Sequence, residues 1–222
     1  MQTLALFDLD NTLLAGDSDH AWGEFLVDRG LVDGDVHQQK NDAFYNDYLQ
    51  GNLDIDAYLR FALEPLTGKT PAELKPLHDD FMSSVITPMM QDSAFRLIDQ
   101  HRQRGDRLLI ITATNAFITA PIAAALGIDE LLASEAELAD GRYTGAPSGT
   151  PCFHAGKVQR LNSWLADNPY NLQDAWFYSD SHNDIPLLEV VGNPVAVDAD
   201  ETLLAHAKEN GWHTLSLRTN GK

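Results

Sequence analysis

Short apolar runs and helical repeats alternate along most of the chain. Residues 3–7 form an apolar run that ends at Asp8, which is typical of a buried strand. After Pro88, similar runs alternate with stretches that end at glycines such as Gly105 and Gly127. The pattern predicts strands at 108–111, 131–133, 175–178, 194–197 and 214–217, helices at 92–104, 116–126, 156–166 and 201–210, and a hairpin around Gly141 and Gly145. This alternation predicts an α/β fold, with a parallel sheet covered by helices on both faces.

The segment between the first two predicted strands has a different pattern. Apolar residues recur there at helical spacing, in four groups: Ala21, Phe25 and Leu26; Phe44, Tyr45, Tyr48 and Leu49; Tyr58, Leu59, Ala62 and Leu63; Leu74, Leu77, Phe81 and Met82. The segment contributes no strand of its own. It therefore predicts a small α-helical cap over residues 15–87, inserted into an α/β core made of residues 1–14 and 88–222.

Composition and charge narrow the classes of function. Of the 222 residues, 44% are hydrophobic and 22% charged, so a sizeable core is expected. The formal net charge is −18 and the 15 Lys and Arg do not cluster, which argues against a nucleic-acid partner. Cys152 is the single cysteine, so no internal disulfide forms. Without a signal-like start or an apolar run of ~20 residues, we expect a soluble cytoplasmic protein with no membrane partner. The sequence leaves the oligomeric state undefined.

Polar and charged side chains follow several of the predicted strands. They lie in Asp8-Leu9-Asp10-Asn11-Thr12, in Thr112-Ala113-Thr114-Asn115, at Lys157 and in Ser179-Asp180-Ser181-His182-Asn183-Asp184. Ligands of open parallel sheets bind beyond the carboxyl ends of the strands, so these segments are expected to share one site. Taken singly, the acids and Thr112 could be turn formers or helix caps, and Lys157 a surface residue. Two carboxylates directly after a buried strand are nevertheless unfavourable unless they share a cation.

Together these segments resemble the haloacid dehalogenase superfamily. Asp8-Leu9-Asp10-Asn11-Thr12 is similar to its first motif, and Thr112, Lys157 and the pair Asp180 and Asp184 match the second, third and fourth motifs in order. The long gap between the first two motifs resembles the phosphoserine phosphatase-like branch, which has a helical cap there. Ser179 stands where a glycine is common, and Thr112 where that branch often has serine. The resemblance implies a Rossmann-like core.

The resemblance also implies a phosphatase mechanism. Asp8 would attack phosphorus to form an aspartyl-phosphate, and Asp10 would act as general acid and then general base. Thr112 and Lys157 would bind the phosphoryl oxygens. Mg²⁺ would be held by Asp8, the backbone carbonyl of Asp10, Asp180 and Asp184. Mg²⁺ and Lys157 would also offset the repulsion of an anionic substrate by the net charge.

The cap is expected to select the leaving group of a small phosphorylated metabolite. Residues 15–86 contain fourteen acids against five lysines and arginines, and Asp17 and Asp19 come soon after the first motif. A cationic leaving group would suit them, and histidinol phosphate is the leading candidate, with His20 or Trp22 stacking on its imidazole. The alternative is phosphoserine, whose carboxylate could meet Arg60. Acidic helix faces are more often simply solvated, and His20 and Trp22 more often packing residues.

The sequence alone leaves other classes of function open. A phospho-receiver domain also combines Asp, Thr or Ser and Lys on a parallel sheet, but it is smaller and has no cap. A phosphotransferase would use the same residues as a phosphatase. A non-catalytic binding protein could share the fold. A dinucleotide-binding fold is disfavoured because no Gly-x-Gly-x-x-Gly follows the first strand.

Overall fold

A computed structural model describes residues 3–218, and a single seven-stranded sheet organises them. The strands are β1 (Leu4–Phe7), β2 (Arg107–Asn115), β3 (Glu130–Ala139), β4 (Arg142–Ser148), β5 (Trp176–Ser179), β6 (Asn193–Val197) and β7 (His213–Leu215). Their order is β4-β3-β2-β1-β5-β6-β7, and each neighbouring pair is parallel except β3 and β4. The predicted α/β fold with a mostly parallel sheet is confirmed.

Helices cover both faces of the sheet. They are α1 (Ser18–Asp28), α2 (Gly34–Leu49), α3 (Ile55–Leu63), α4 (Pro71–Phe81), α5 (Thr87–Met89), α6 (Asp92–Arg104), α7 (Ala116–Ala125), α8 (Ala155–Asp167), α9 (Ile185–Leu188) and α10 (Glu201–Asn210). The strand β1 shows how the layers form, because alternate side chains of a strand point to opposite faces. Ala5 and Phe7 belong to one buried cluster, and Leu4 and Leu6 to the other. The first strand is therefore buried on both faces, as its uninterrupted apolar run predicts.

The chain between β1 and β2 is helical, as predicted for the cap. The two ends of this segment lie next to each other at the sheet: the Ala15 N–H donates to the Met89 carbonyl at 2.8 Å, and Leu14 pairs with Met90. This arrangement suits an inserted segment, although the bounds 15–87 stay a prediction. The hairpin also contacts the helical segment, since Gly68 and Tyr143 are joined by a backbone hydrogen bond of 2.8 Å.

Two sequence-based predictions differ from the structure in detail. The second strand, predicted at 108–111, runs on past Thr112 to Asn115, and its register with β3 shifts after Ile111. Thr112 therefore lies within an irregular strand end. In the hairpin, only Gly141 lies in the turn; Gly145 lies inside β4, where an added Cβ would come within 2.3 Å of Thr67 Oγ1. Gly145 thus allows the hairpin to approach the helical segment closely.

No helix among residues 3–218 has the length and apolar character required to cross a bilayer.

Candidate active site

The side chains predicted to carry chemistry lie together at the carboxyl ends of β1, β2 and β5. Asp8 directly follows β1, and its N–H donates to the Tyr178 carbonyl of β5 at 2.9 Å. Residues Leu9–Leu13 then form a tight turn of π type, within which Asn11 adopts a φ of 54°. Asparagine tolerates this left-handed conformation better than most residues. The turn reverses the chain so that both Asp8 and Asp10 face the same cavity.

A buried lysine joins two of the acids. Lys157 Nζ lies 2.8 Å from Asp8 Oδ1 and 2.7 Å from Asp184 Oδ2, and all three side chains are 5% exposed or less. Burial lowers the pKa of Lys157, but Asp184 and Asp8 more than offset that effect, so the pKa is raised and the ammonium stays charged. Asp184 Oδ2 also accepts a hydrogen bond from Ser179 Oγ at 2.7 Å. Ser179, at a position where glycine is common in the family, therefore helps to hold the Asp184 carboxylate in place beside Lys157.

The negative charge of the site exceeds what Lys157 can offset. Burial raises the pKa of Asp8 to about 7, although Lys157 opposes the shift. Burial and the nearby Asp8 also raise the pKa of Asp180 well above its usual value. Asp180 is fixed by Thr12, whose hydroxyl donates to Asp180 Oδ1 and accepts from the Asp180 N–H, both at 3.0 Å. The geometry holds the acids close together in a weakly solvated pocket, so a cation would be bound favourably there.

Asp10 has its own hydrogen-bond partners. Its Oδ1 accepts from the Ser18 N–H at 2.6 Å, and its Oδ2 from Thr114 Oγ1 at 2.7 Å. Burial, followed by the proximity of Asp17, raises the pKa of Asp10 to about 7. A carboxyl group with that pKa can both donate and accept a proton near neutral pH.

Asp8, Asp10, Lys157 and Asp184 line a cavity between the sheet and the helices that precede β2. Its lining residues are Asp8, Asp10, Asp17, Asp19, His20, Asn41, Phe44, Tyr45, Tyr48, Leu53, Ile55, Tyr58, Thr112, Ala113, Thr114, Phe153, Lys157, Asn183 and Asp184. One wall is acidic and comes from the start of α1, and the facing wall is largely aromatic and comes from α2 and α3.

Three of the five predicted substrate residues reach this cavity. Asp17 caps α1 by accepting hydrogen bonds from the N–H groups of Asp19 and His20, at 3.0 and 2.8 Å. Asp19 is buried, and burial, followed by the proximity of Asp17 and Asp10, raises its pKa well above the usual value. The His20 ring lies 4.7 Å from that of Tyr45 and contacts Asp42 at 3.0 Å.

Trp22 and Arg60 are not brought to the cavity. Trp22 is 2% exposed and packs edge-on against Phe81 and Phe117, with ring centroids 5.0 and 5.4 Å away. Trp22 comes two positions after His20 and so lies on the opposite side of α1, which leaves its stacking on the substrate as a prediction that this geometry does not support. Arg60 is exposed and borders a separate surface groove beside Gly145, so its contact with a phosphoserine carboxylate also stays a prediction that this geometry does not support.

Sequence reasoning missed most of the aromatic wall. Phe44, Tyr45, Tyr48 and Tyr58 were interpreted only as the packing faces of helices, and Phe153 was not considered. Helical spacing predicts that they share a side but not what that side faces. The sequence did contain an indication of this wall. Three tyrosines on the helices of a strongly acidic cap suit the lining of a polar cavity better than a dry interface between helices.

The chain is similar to known hydrolases over most of its length. Residues 5–189 match the family model for haloacid dehalogenase-like hydrolases. A histidinol-phosphatase of Neisseria meningitidis serogroup C (strain 8013) is 45% identical over 222 residues, covering 98% of this chain and all of the relative. The phosphoserine phosphatase SerB1 of Mycobacterium tuberculosis (strain ATCC 25618 / H37Rv) is 32% identical over 219 residues, which cover 96% of this chain and 70% of that protein.

Solved structures share the fold over almost the whole chain. A protein of unknown function from Bordetella pertussis Tohama I superposes with a TM-score of 0.91 at 42% identity, covering 98% of this chain and 100% of that one. A substrate-bound phosphoserine phosphatase superposes with a TM-score of 0.71 at 20% identity, with 97% and 93% covered, which shows a common fold. The chain therefore belongs to the haloacid dehalogenase-like hydrolase family, and its sequence relatives place it among the phosphatases of that family.

Proposed function

We propose that this protein hydrolyses the phosphate monoester of a small amino alcohol, histidinol phosphate, through an aspartyl-phosphate on Asp8. The observation that carries the proposal is the convergence of Asp8, Asp10, Thr112 and Lys157 on one cavity. An Asp8 oxygen would attack phosphorus while the bond from phosphorus to the leaving oxygen breaks. The Lys157 ammonium, 2.8 Å from Asp8 Oδ1, and the Thr112 hydroxyl would bind the equatorial phosphoryl oxygens.

Asp10 would supply and then remove the proton. With a pKa raised to about 7 by burial and Asp17, it retains a proton near neutral pH and can give it to the leaving oxygen. Once the alcohol has left, the same carboxylate can deprotonate the water that attacks the aspartyl-phosphate. The hydrogen bonds from Ser18 and Thr114 fix both of its oxygens for this double role.

The residues present fit Mg²⁺. Buried acids outnumber the one lysine among them, and their oxygens are the hard ligands that this ion prefers. Mg²⁺ usually keeps several waters and shares its remaining positions between protein oxygens and substrate phosphate, so the protein need supply only part of its coordination. Asp8, Asp180, Asp184 and the Asp10 carbonyl would hold it, and when bound it neutralises charge on the phosphoryl group.

The character of the cavity favours a cationic leaving group. Asp17 and Asp19 form its acidic wall, and Lys157, the one Lys or Arg on the described lining, is already paired with Asp8 and Asp184. The carboxylate of phosphoserine would find no free Lys or Arg on the described lining, whereas an ammonium or imidazolium group would offset the buried acids. The Neisseria relative, a histidinol-phosphatase at 45% identity, supports the same choice of substrate.

A panel of phosphorylated metabolites tests this substrate assignment. We expect kcat/KM for histidinol phosphate to exceed that for phosphoserine by at least about tenfold, equivalent to ~1.4 kcal/mol. Removal of divalent ions with EDTA should abolish turnover of both, and added Mg²⁺ should restore it. Preference for phosphoserine would refute the cavity argument, and full activity in EDTA would refute the metal assignment.

Replacing Asp10 with Asn tests the acid–base assignment. Because the amide cannot protonate the leaving oxygen, we expect kcat/KM to fall about 10²-fold or more for alkyl phosphates. The loss should be much smaller for p-nitrophenyl phosphate, whose leaving group departs without a proton. An equal loss on both esters would show that Asp10 does not act as the general acid.

A further inference from the structure

The turn that leads into α8 contains a histidine in a conformation normally reserved for glycine. His154 has φ 47° and ψ −124°, and the Phe153 carbonyl accepts a hydrogen bond from the Gly156 N–H at 2.8 Å. These features define a type II′ turn with His154 at its first central position, where glycine is preferred because a Cβ is strained. Glycine would form the same turn without strain. The side chain of His154 must therefore account for its presence there.

The imidazole of His154 makes one specific polar contact. Its Nε2 lies 2.6 Å from Asn183 Oδ1, while Asn183 Nδ2 donates to the Tyr48 carbonyl at 3.2 Å. The carbonyl of Tyr48 can only accept, so the amide nitrogen of Asn183 must face it and the amide oxygen must face the ring. His154 Nε2 therefore carries a proton and donates it to Asn183.

Three segments of the active-site wall meet at this contact. Asn183 is 3% exposed, borders the cavity and directly precedes Asp184, one of the two partners of Lys157. His154 directly precedes α8 and lies about one turn before Lys157. The Lys157 N–H donates to the His154 carbonyl at 3.1 Å. Tyr48 lines the cavity near the C-terminal end of α2, and the centroid of its ring lies 6.2 Å from that of Phe153.

We propose that His154 is a positioning residue: its ring N–H fixes the Asn183 amide, which in turn holds the end of α2 over the phosphate site. The turn keeps a strained residue because this contact sets the aromatic wall relative to Lys157 and Asp184. The inference rests on the proposed function in one respect: the aromatic wall is taken to contact the leaving group of the substrate. His154 itself is not a catalytic residue, since it does not border the cavity among its described lining residues.

The variant His154→Gly separates positioning from stability. Glycine removes the ring and also relieves the strained backbone, so we expect a Tm at least equal to that of His154→Ala, which keeps the strain. We expect kcat/KM for histidinol phosphate to fall about tenfold or more, because small misplacement of a binding wall has effects of that order. Most of that loss should lie in KM. For acetyl phosphate, whose leaving group is too small to reach the wall, the loss should stay below about threefold.

Two further variants complete the experiment. His154→Gln carries an amide N–H at a similar reach and should recover part of the activity on histidinol phosphate. Asp140→Gly, at another positive-φ residue in the exposed hairpin turn, should leave kcat/KM unchanged. Wild-type kcat/KM in His154→Gly, or equal losses on histidinol phosphate and acetyl phosphate with a lowered Tm, would overturn the inference. If the wild-type protein does not hydrolyse histidinol phosphate, the substrate proposal fails, and the same comparison on the best ester of the panel still decides the role of His154.

Discussion

Replacing Asp8 with Asn is expected to reduce phosphatase turnover by at least roughly 10³-fold, because loss of a covalent nucleophile leaves little residual catalysis. The amide has the shape of the carboxylate but cannot form the acyl phosphate. Asn Oδ1 can still accept the hydrogen bond from Lys157 Nζ, now made at 2.8 Å to Asp8 Oδ1, and Asp184 remains as the charged partner. The phosphate site should thus keep its shape while losing its reactive group.

The same variant should not unfold the protein. Burial raises the pKa of Asp8 from 3.8 to about 7, so this group lowers the free energy of unfolding increasingly as pH rises from 3.8 to about 7, and by the full amount above that. A neutral amide removes this unfavourable term, and at pH 8 the Tm should be unchanged or higher. Initial rates with p-nitrophenyl phosphate and thermal unfolding are the two measurements. Asp129→Asn, on an exposed residue before β3, is the matched control and should behave as wild type. Turnover retained by Asp8→Asn would remove Asp8 as the nucleophile.

The core of the site could be predicted from sequence because each functional group follows a recognisable element. Asp8 directly follows β1 and Asp180 directly follows β5, and parallel strands bring their carboxyl ends to one edge of the sheet. Lys157 could be placed only on a helix; that it bridges Asp8 and Asp184 depends on the II′ turn and the close approach of Gly156 to Pro151. A single sequence does not specify a distance of that kind.

The cap residues were harder to predict because two surfaces compete for each helix. On α1, Asp17 and His20 face the cavity, whereas Trp22 two residues later packs into the core. Both environments accept aromatic side chains, so composition does not separate them. The position of Arg60 depends on how α3 lies against the hairpin, a contact between segments far apart in sequence. Periodicity gives the faces of a helix, and tertiary packing decides which face meets the substrate.

Replacing Lys157 with Met is expected to abolish activity and also to destabilise the fold, by about 3–5 kcal/mol, since it leaves buried carboxylates without their cation. The side chain is 4% exposed and holds Asp8 and Asp184 at 2.8 and 2.7 Å. Both the charge and the hydrogen bond of Lys157 lower the pKa of Asp8, so the variant should raise that pKa further above 7. Since the unfolded carboxyl ionises near 3.8, the extra loss of stability should be small at pH 4 and grow as pH rises to 8.

The double variant Lys157→Met, Asp184→Asn distinguishes a charge effect from a packing effect. Removing one of the two unpaired carboxylates should restore much of the stability at pH 8, because an uncompensated buried charge is worse than a neutral pair. Activity should not return, because the phosphoryl oxygens still lack their cation. Urea unfolding in EDTA at pH 4 and pH 8 measures both effects without bound metal. If Lys157→Met were equally destabilised at both pH values, and the double variant were less stable still, the lysine would act through its packed methylenes. The electrostatic account of the site would then be wrong.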